Sequence, residues 1–147
     1  MRLGGEPRWR SNWRIVGPAG ATQIQLPASR SARRASVRRL GELPVGTSVV
    51  LVATAPRAGS RCRAVAAGAR IAVERTYLAF PSAEAPAYLV EDEPASVRVF
   101  LKTILVVPPR SKLSLPMLAA VRILRSLGTQ STMRTLAPGR VVVGRRV

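Results

Sequence analysis

The chain contains no histidine, and Cys62 is its single cysteine. These two gaps remove every Cys/His zinc site, every His-based catalytic triad and any disulfide within one monomer. Carboxylates are scarce as well. Seven Asp and Glu in 147 residues leave little material for an oxygen cage around a hard cation, and no metal site is expected. Aromatic residues make up only 4% of the chain, so a core has to be built from Val, Leu, Ile and Ala. Long apolar runs are missing too. The nearest, Val97 to Val107, is broken by Arg98 and Lys102 and stopped by Pro108-Pro109, whereas a spanning helix needs roughly 20 apolar residues. The opening MRLGGEPRWRSNWR lacks the apolar segment of a secretory signal, which leaves a cytoplasmic location as the expectation. Its Arg-rich, acid-poor character imitates an organellar transit peptide, but a strand-like pattern already begins at Trp13.

What is present is a chain that is 47% hydrophobic with a formal net charge of +17. That apolar content supports one folded unit and argues against a wholly disordered chain. The expected layout is a flexible basic N-terminus over residues 1–12 and a single α/β domain over 13–147. All basic residues except Lys102 and Lys112 are arginine, and Ala, Arg, Gly and Pro fill nearly half the chain. All four have GC-rich codons, so part of the charge reflects codon usage rather than a partner. A field of this sign still attracts phosphates, and nonspecific nucleic-acid or other polyanion binding is expected at low salt. The charge divides as +10 over residues 1–63, −2 over 64–100 and +9 over 101–147. Acid and base chemistry coexist only in the middle segment.

Along the chain, Trp13–Gly17 and Thr22–Leu26 read as two short strands of a hairpin around Gly17-Pro18-Ala19-Gly20. Ser29–Leu40 reads as a helix stopped by Gly41. At 100° per residue, Arg30, Arg33, Arg34 and Arg38 fall within an arc of about 140°. That arc is either a solvated helix face or a surface for phosphates. Ser48–Ala53 (SVVLVA) is a continuous apolar run, the pattern of a strand covered on both faces. Gly59–Gly68 follows as a helix for which Ser60 is the expected cap. Cys62 lies on it between Arg61 and Arg63, so it is either a reactive thiolate favoured by cations or a small half-buried residue.

Arg70–Phe80 predicts a strand with Ile71, Val73, Arg75, Tyr77 and Ala79 on one face. A loop, PSAEAP, leads through Ala87–Val90 to Glu91-Asp92-Glu93, where three acids suit the N-terminus of a helix over Ala95–Val106. Ser114–Leu127 predicts a further helix with Met117, Leu118, Val121 and Leu124 as its apolar stripe. A Pro138-Gly139 turn then opens a closing strand at Arg140–Val143. The order describes a mixed, partly parallel sheet flanked by helices, in the α/β class.

From residue 43 onward the chain resembles the C-terminal part of a class I S-adenosylmethionine-dependent methyltransferase. LPVGTSVVLVA is similar to a late strand of that family, CRAVAAGARIAVERTYLAFPS to its next helix and strand, and APGRVVVGRR to its final antiparallel strand. AFPSAEAPAYLVED resembles a substrate-side loop that some members carry. The resemblance spans about two-thirds of the chain. It also implies what is missing. The family holds its cofactor on a turn of the form E/D-x-G-x-G-x-G followed by a helix, with an acid after the second strand. Val16-Gly17-Pro18-Ala19-Gly20 has no preceding acid and no following helix, and Leu26-Pro27 carries no acid. The resemblance therefore implies the substrate-side half, with no cofactor and no catalytic residue in this chain alone, and a partner enzyme subunit. Tyr77, Ser82, Glu84 and Tyr88 are the substrate-side candidates. Two alternatives stand beside it. One is a nucleic-acid-binding protein acting through Arg30, Arg33, Arg34 and Arg38. The other is a peripheral membrane protein acting through the basic, apolar 97–127 region.

Overall fold

The continuous apolar run SVVLVA becomes an interior strand of a sheet. In the computed structural model, which describes residues 16–84, 86–103, 119, 122, 123, 126 and 128–147, strand β2 spans Ser48–Thr54 with Val49 to Ala53 all buried. Burying a Val or Leu side chain in this way contributes roughly 1.5–3 kcal/mol. On one side β2 pairs in parallel with β1 (Thr22–Gln25), and on the other antiparallel with β5 (Gly139–Arg146). β5 in turn pairs antiparallel with β3 (Ile71–Phe80), which pairs antiparallel with β4 (Tyr88–Glu91). The order across the sheet is β1-β2-β5-β3-β4.

Helix α1 (Arg30–Gly41) joins β1 to β2, and α2 (Ala58–Gly68) carries the chain from β2 past β5 to β3. Ser29 caps α1 as its sequence position requires, its Oγ accepting from the Ala32 N–H at 3.3 Å. Both helices cover the sheet face that carries Val49, Leu51, Ala53 and Val142, with Leu40, Cys62, Val65 and Ala66 packed against it. Helices α3 (Pro94–Thr103) and α4 (Gln130–Leu136) cover the far end of the sheet over Leu78 and Val90, through Val97, Leu101 and Met133. The opposite face gathers Val50, Val52, Ala79, Val141 and Val143. At the start of β5 there is room for glycine only. A Cβ on Gly139 would lie 2.8 Å from the Ala83 nitrogen, because the 81–84 turn crosses directly over it.

The α/β class, with its mixed and partly parallel sheet, is as expected. Three local expectations need correction. Val16 and Gly17 form a bend, and β1 pairs in parallel with β2 rather than in a hairpin; Trp13 to Ile15 lie outside the described residues. The even alternation expected along β3 fails at a β-bulge between Val73 and Arg75, where Glu74 is the extra residue. Ile71 and Val73 therefore share a face with Thr76 and Leu78, while Arg75, Tyr77 and Ala79 take the other. Ser60 does not cap α2; its hydroxyl donates to the Arg57 carbonyl at 2.9 Å, and Arg57 is the cap residue. The acids 91–93 directly precede α3, as expected; the helix starts at Pro94, with the Glu93 carbonyl accepting from Val97. β4 and α4 are elements beyond those expected. Residues 1–12 and the Met117, Leu118, Val121 and Leu124 stripe lie outside the described residues, while Arg122, Ile123 and Ser126 are helical.

Candidate functional site

The middle segment places one carboxylate at the junction of three elements. Asp92 follows β4, and its N–H donates to the Thr76 carbonyl at 2.7 Å, which holds it against β3. Its side-chain oxygens accept from Arg134 Nε at 2.8 and 2.9 Å, from Arg140 Nη1 at 2.9 Å and from Gln130 Nε2 at 3.1 Å. Arg140 Nη2 donates to the Arg134 carbonyl at 2.9 Å, so the two arginines are locked to each other as well as to the acid. Arg140 lies on β5, while Gln130 and Arg134 lie on α4. Asp92 thus ties β4 to both.

Burial lowers the affinity of Arg140 for its proton, and Asp92 works against that loss. Four donor contacts use the roughly four lone-pair directions of a carboxylate, so Asp92 has no free acceptor for a proton from substrate. It acts as a clasp. A cavity of about 250 Å³ opens beside it, between Gly59 and Arg63 of α2 and Val73, Thr76 and Arg134. The neighbouring surface pairs, Arg75–Glu91 at 4.0 Å and Arg145–Glu74 at 3.5 Å, are exposed and contribute little.

The substrate-side candidates are not gathered at one point. Tyr77 packs with Val50, Val141 and Leu89 on the face away from the helices. Tyr88, opposite Phe80 on β4, lies on the helix-covered face and meets the Phe100 ring edge-on at 5.7 Å. Ser82 and Glu84 occupy the turn between β3 and β4, Ser82 half-buried and Glu84 exposed. Of the arginines on α1, Arg30, Arg34 and Arg38 stand exposed, whereas Arg33 is half-buried and donates to the Pro27 and Ala28 carbonyls. Cys62 is fully buried, and desolvation pushes its thiol up to about 12 against the opposing pull of Arg61 and Arg140. The reactive-thiolate reading is thereby corrected: burial outweighs the adjacent cations.

Among the described residues no group of His, Cys, Asp and Glu is arranged to hold a metal ion, and no helix is long and apolar enough to cross a membrane. Sequence reasoning missed the Asp92–Arg134–Arg140 clasp, whose members lie 42 and 48 residues apart. It also missed Arg57 and Arg61, although one signal was present. On a helical wheel Arg61 falls among Ala58, Cys62 and Val65, inside the apolar stripe of α2. Set against known protein families, curated proteins and solved structures, the chain matches none.

Proposed function

We propose that the chain is the substrate-side part of a methyltransferase-like unit and transfers no group by itself. The supporting observation is the placement of β5. The resemblance implies a strand, a helix, a second strand and a final antiparallel strand in that order. β2, α2, β3 and β5 follow it, with β5 antiparallel to both neighbours and seated between them. The Gly17–Gly20 turn leads into a strand at Thr22 rather than into a helix, so it offers no helix N-terminus to a cofactor. Among the described residues β1 is paired on one edge only, and a cofactor-carrying subunit has a parallel edge there to extend.

Calorimetric titration of the purified chain with S-adenosylmethionine is the test. No binding is expected from the chain alone, and a saturable complex when a subunit carrying an E-x-G-x-G-x-G turn is co-expressed. Tight binding by the chain alone overturns the reading. A second reading, nonspecific polyanion binding, is favoured by the exposed stripe of Arg30, Arg34 and Arg38. Oligonucleotide affinity through that stripe is expected to fall steeply with salt, and affinity that holds between low and moderate salt removes it.

A further inference from the structure

We propose that the cleft between the β1–α1 and β2–α2 turns binds the phosphate group of a small ligand. β1 and β2 run parallel, so the turns that follow them lie at the same edge of the sheet. Outside the carboxyl ends of parallel strands is where open α/β sheets place their ligand crevices. The cleft there has a volume of about 460 Å³, and its walls carry Arg33, Arg57 and Arg61 with Ser60 and Ala28. No carboxylate lines it among the described residues.

Arg61 carries the inference. Its side chain belongs to a residue only 9% exposed, yet its Nε and Nη2 are buried without a hydrogen-bond partner among the described residues. A guanidinium taken out of water needs an acceptor, and leaving it without one costs several kcal/mol. For the other buried arginine side chain, Arg140, the need is met by Asp92. Here the described residues offer none, and Arg61 lines the cleft, so an anion seated there supplies it. A guanidinium edge presents two parallel N–H groups that match two oxygens of a phosphate.

The surroundings favour the same group. Arg57 precedes α2 with a left-handed backbone, φ 59°, and no side chain caps the first turn of that helix. The start of α2 therefore adds uncapped N–H groups and the positive end of a helix dipole to the three guanidinium groups. Arg33 is held at the wall by the Pro27 and Ala28 carbonyls rather than left in solvent. Three cations with no acid suit a doubly charged phosphate monoester better than a single carboxylate. The exposed Arg34 and Arg38 lie roughly 100° and 140° around α1 from Arg33, so they form a separate surface. A terminal phosphate reaches into the cleft, whereas a nucleic-acid backbone meets the outer stripe first.

The experiment uses the full chain and reads calorimetric binding and thermal unfolding with inorganic phosphate and phenyl phosphate, against chloride at equal ionic strength. Saturable binding of one phosphate per chain and a raised Tm are expected. Arg61→Gln is expected to weaken that affinity at least 10-fold, exposed Arg57→Gln less, and Arg38→Gln not measurably. Far-UV circular dichroism checks that each variant is folded, and if Arg61→Gln is not, the ordering of Arg57→Gln below Arg38→Gln still decides. Equal responses to phosphate and chloride overturn the proposal, as does an Arg38→Gln loss as large as that of Arg61→Gln. A duplex oligonucleotide arm separates the sources. Oligonucleotide binding that depends on Arg34 and Arg38, with no binding of phosphate or phenyl phosphate, also overturns it.

Discussion

Two sets of arginines in this molecule share a residue type and differ in what faces them. Arg134 and Arg140 surround Asp92, and every side-chain oxygen of that acid is engaged. Arg33, Arg57 and Arg61 line an open cleft beside the start of α2, with no acid among the described residues that wall it. The first set has the geometry of a structural tie, joining elements distant in sequence. The second has the geometry of a site whose counter-charge is brought by a ligand. Net charge alone does not separate the two. Pairing does, and it was visible only once the chain was folded.

The sharpest way to break that contrast is to remove the acid. Asp92→Ala leaves Arg140 buried and unpaired, and urea unfolding is expected to show a loss of about 3–5 kcal/mol. Adding Arg140→Met to the same chain removes the stranded charge and is expected to recover roughly half of that loss. A double variant no better than Asp92→Ala contradicts the clasp.

Cys62 lies between the two sets, adjacent to Arg61 and within the field of Arg140. Its native thiol ionises near 12 rather than the ordinary 9.0, so close to pH 8 the thiolate population is ~1000-fold lower than in the unfolded chain. Maleimide labelling is expected to be slower by orders of magnitude until denaturant is added. The sign for stability follows from the same shift. The unfolded thiol loses its proton first, so this contribution is intact below pH 9 and declines as pH rises from 9 towards 12. Labelling at the rate of a free thiol in the folded protein shows that the cations, not burial, control Cys62.

The parts of the fold that were legible in the sequence are those coded by local pattern. SVVLVA is apolar without alternation because both faces of β2 are covered, and Ser29 and Gly41 mark the ends of α1. The closing strand was marked by its Pro-Gly turn. β4 and α4 were not legible, since four and seven residues carry too little periodicity to announce themselves. The bulge at Glu74 hid the true faces of β3, because a single extra residue reverses the alternation on either side of it. That the acids of the ion pairs lie in the middle segment is legible. Which acid meets which base is not, because the partners of Asp92 come from α4 and β5, beyond any helical or strand spacing. The arginine stripe on α1 was legible as a pattern, but Arg33 leaves it for the cleft, where Arg57, just before α2, and Arg61, on α2, join it.

The measurement that bears most directly on the contrast is the phosphate-free unfolding free energy of Arg61→Met beside that of Asp92→Ala. Methionine keeps an apolar stem of similar length and removes a buried charge that nothing in the described structure pairs. The expected result is roughly 1–4 kcal/mol of added stability, together with loss of the phosphate-induced rise in Tm. A loss of several kcal/mol, comparable to that of Asp92→Ala, means that Arg61 is tied into the fold as Arg140 is, and contradicts the distinction between the paired and the open arginines.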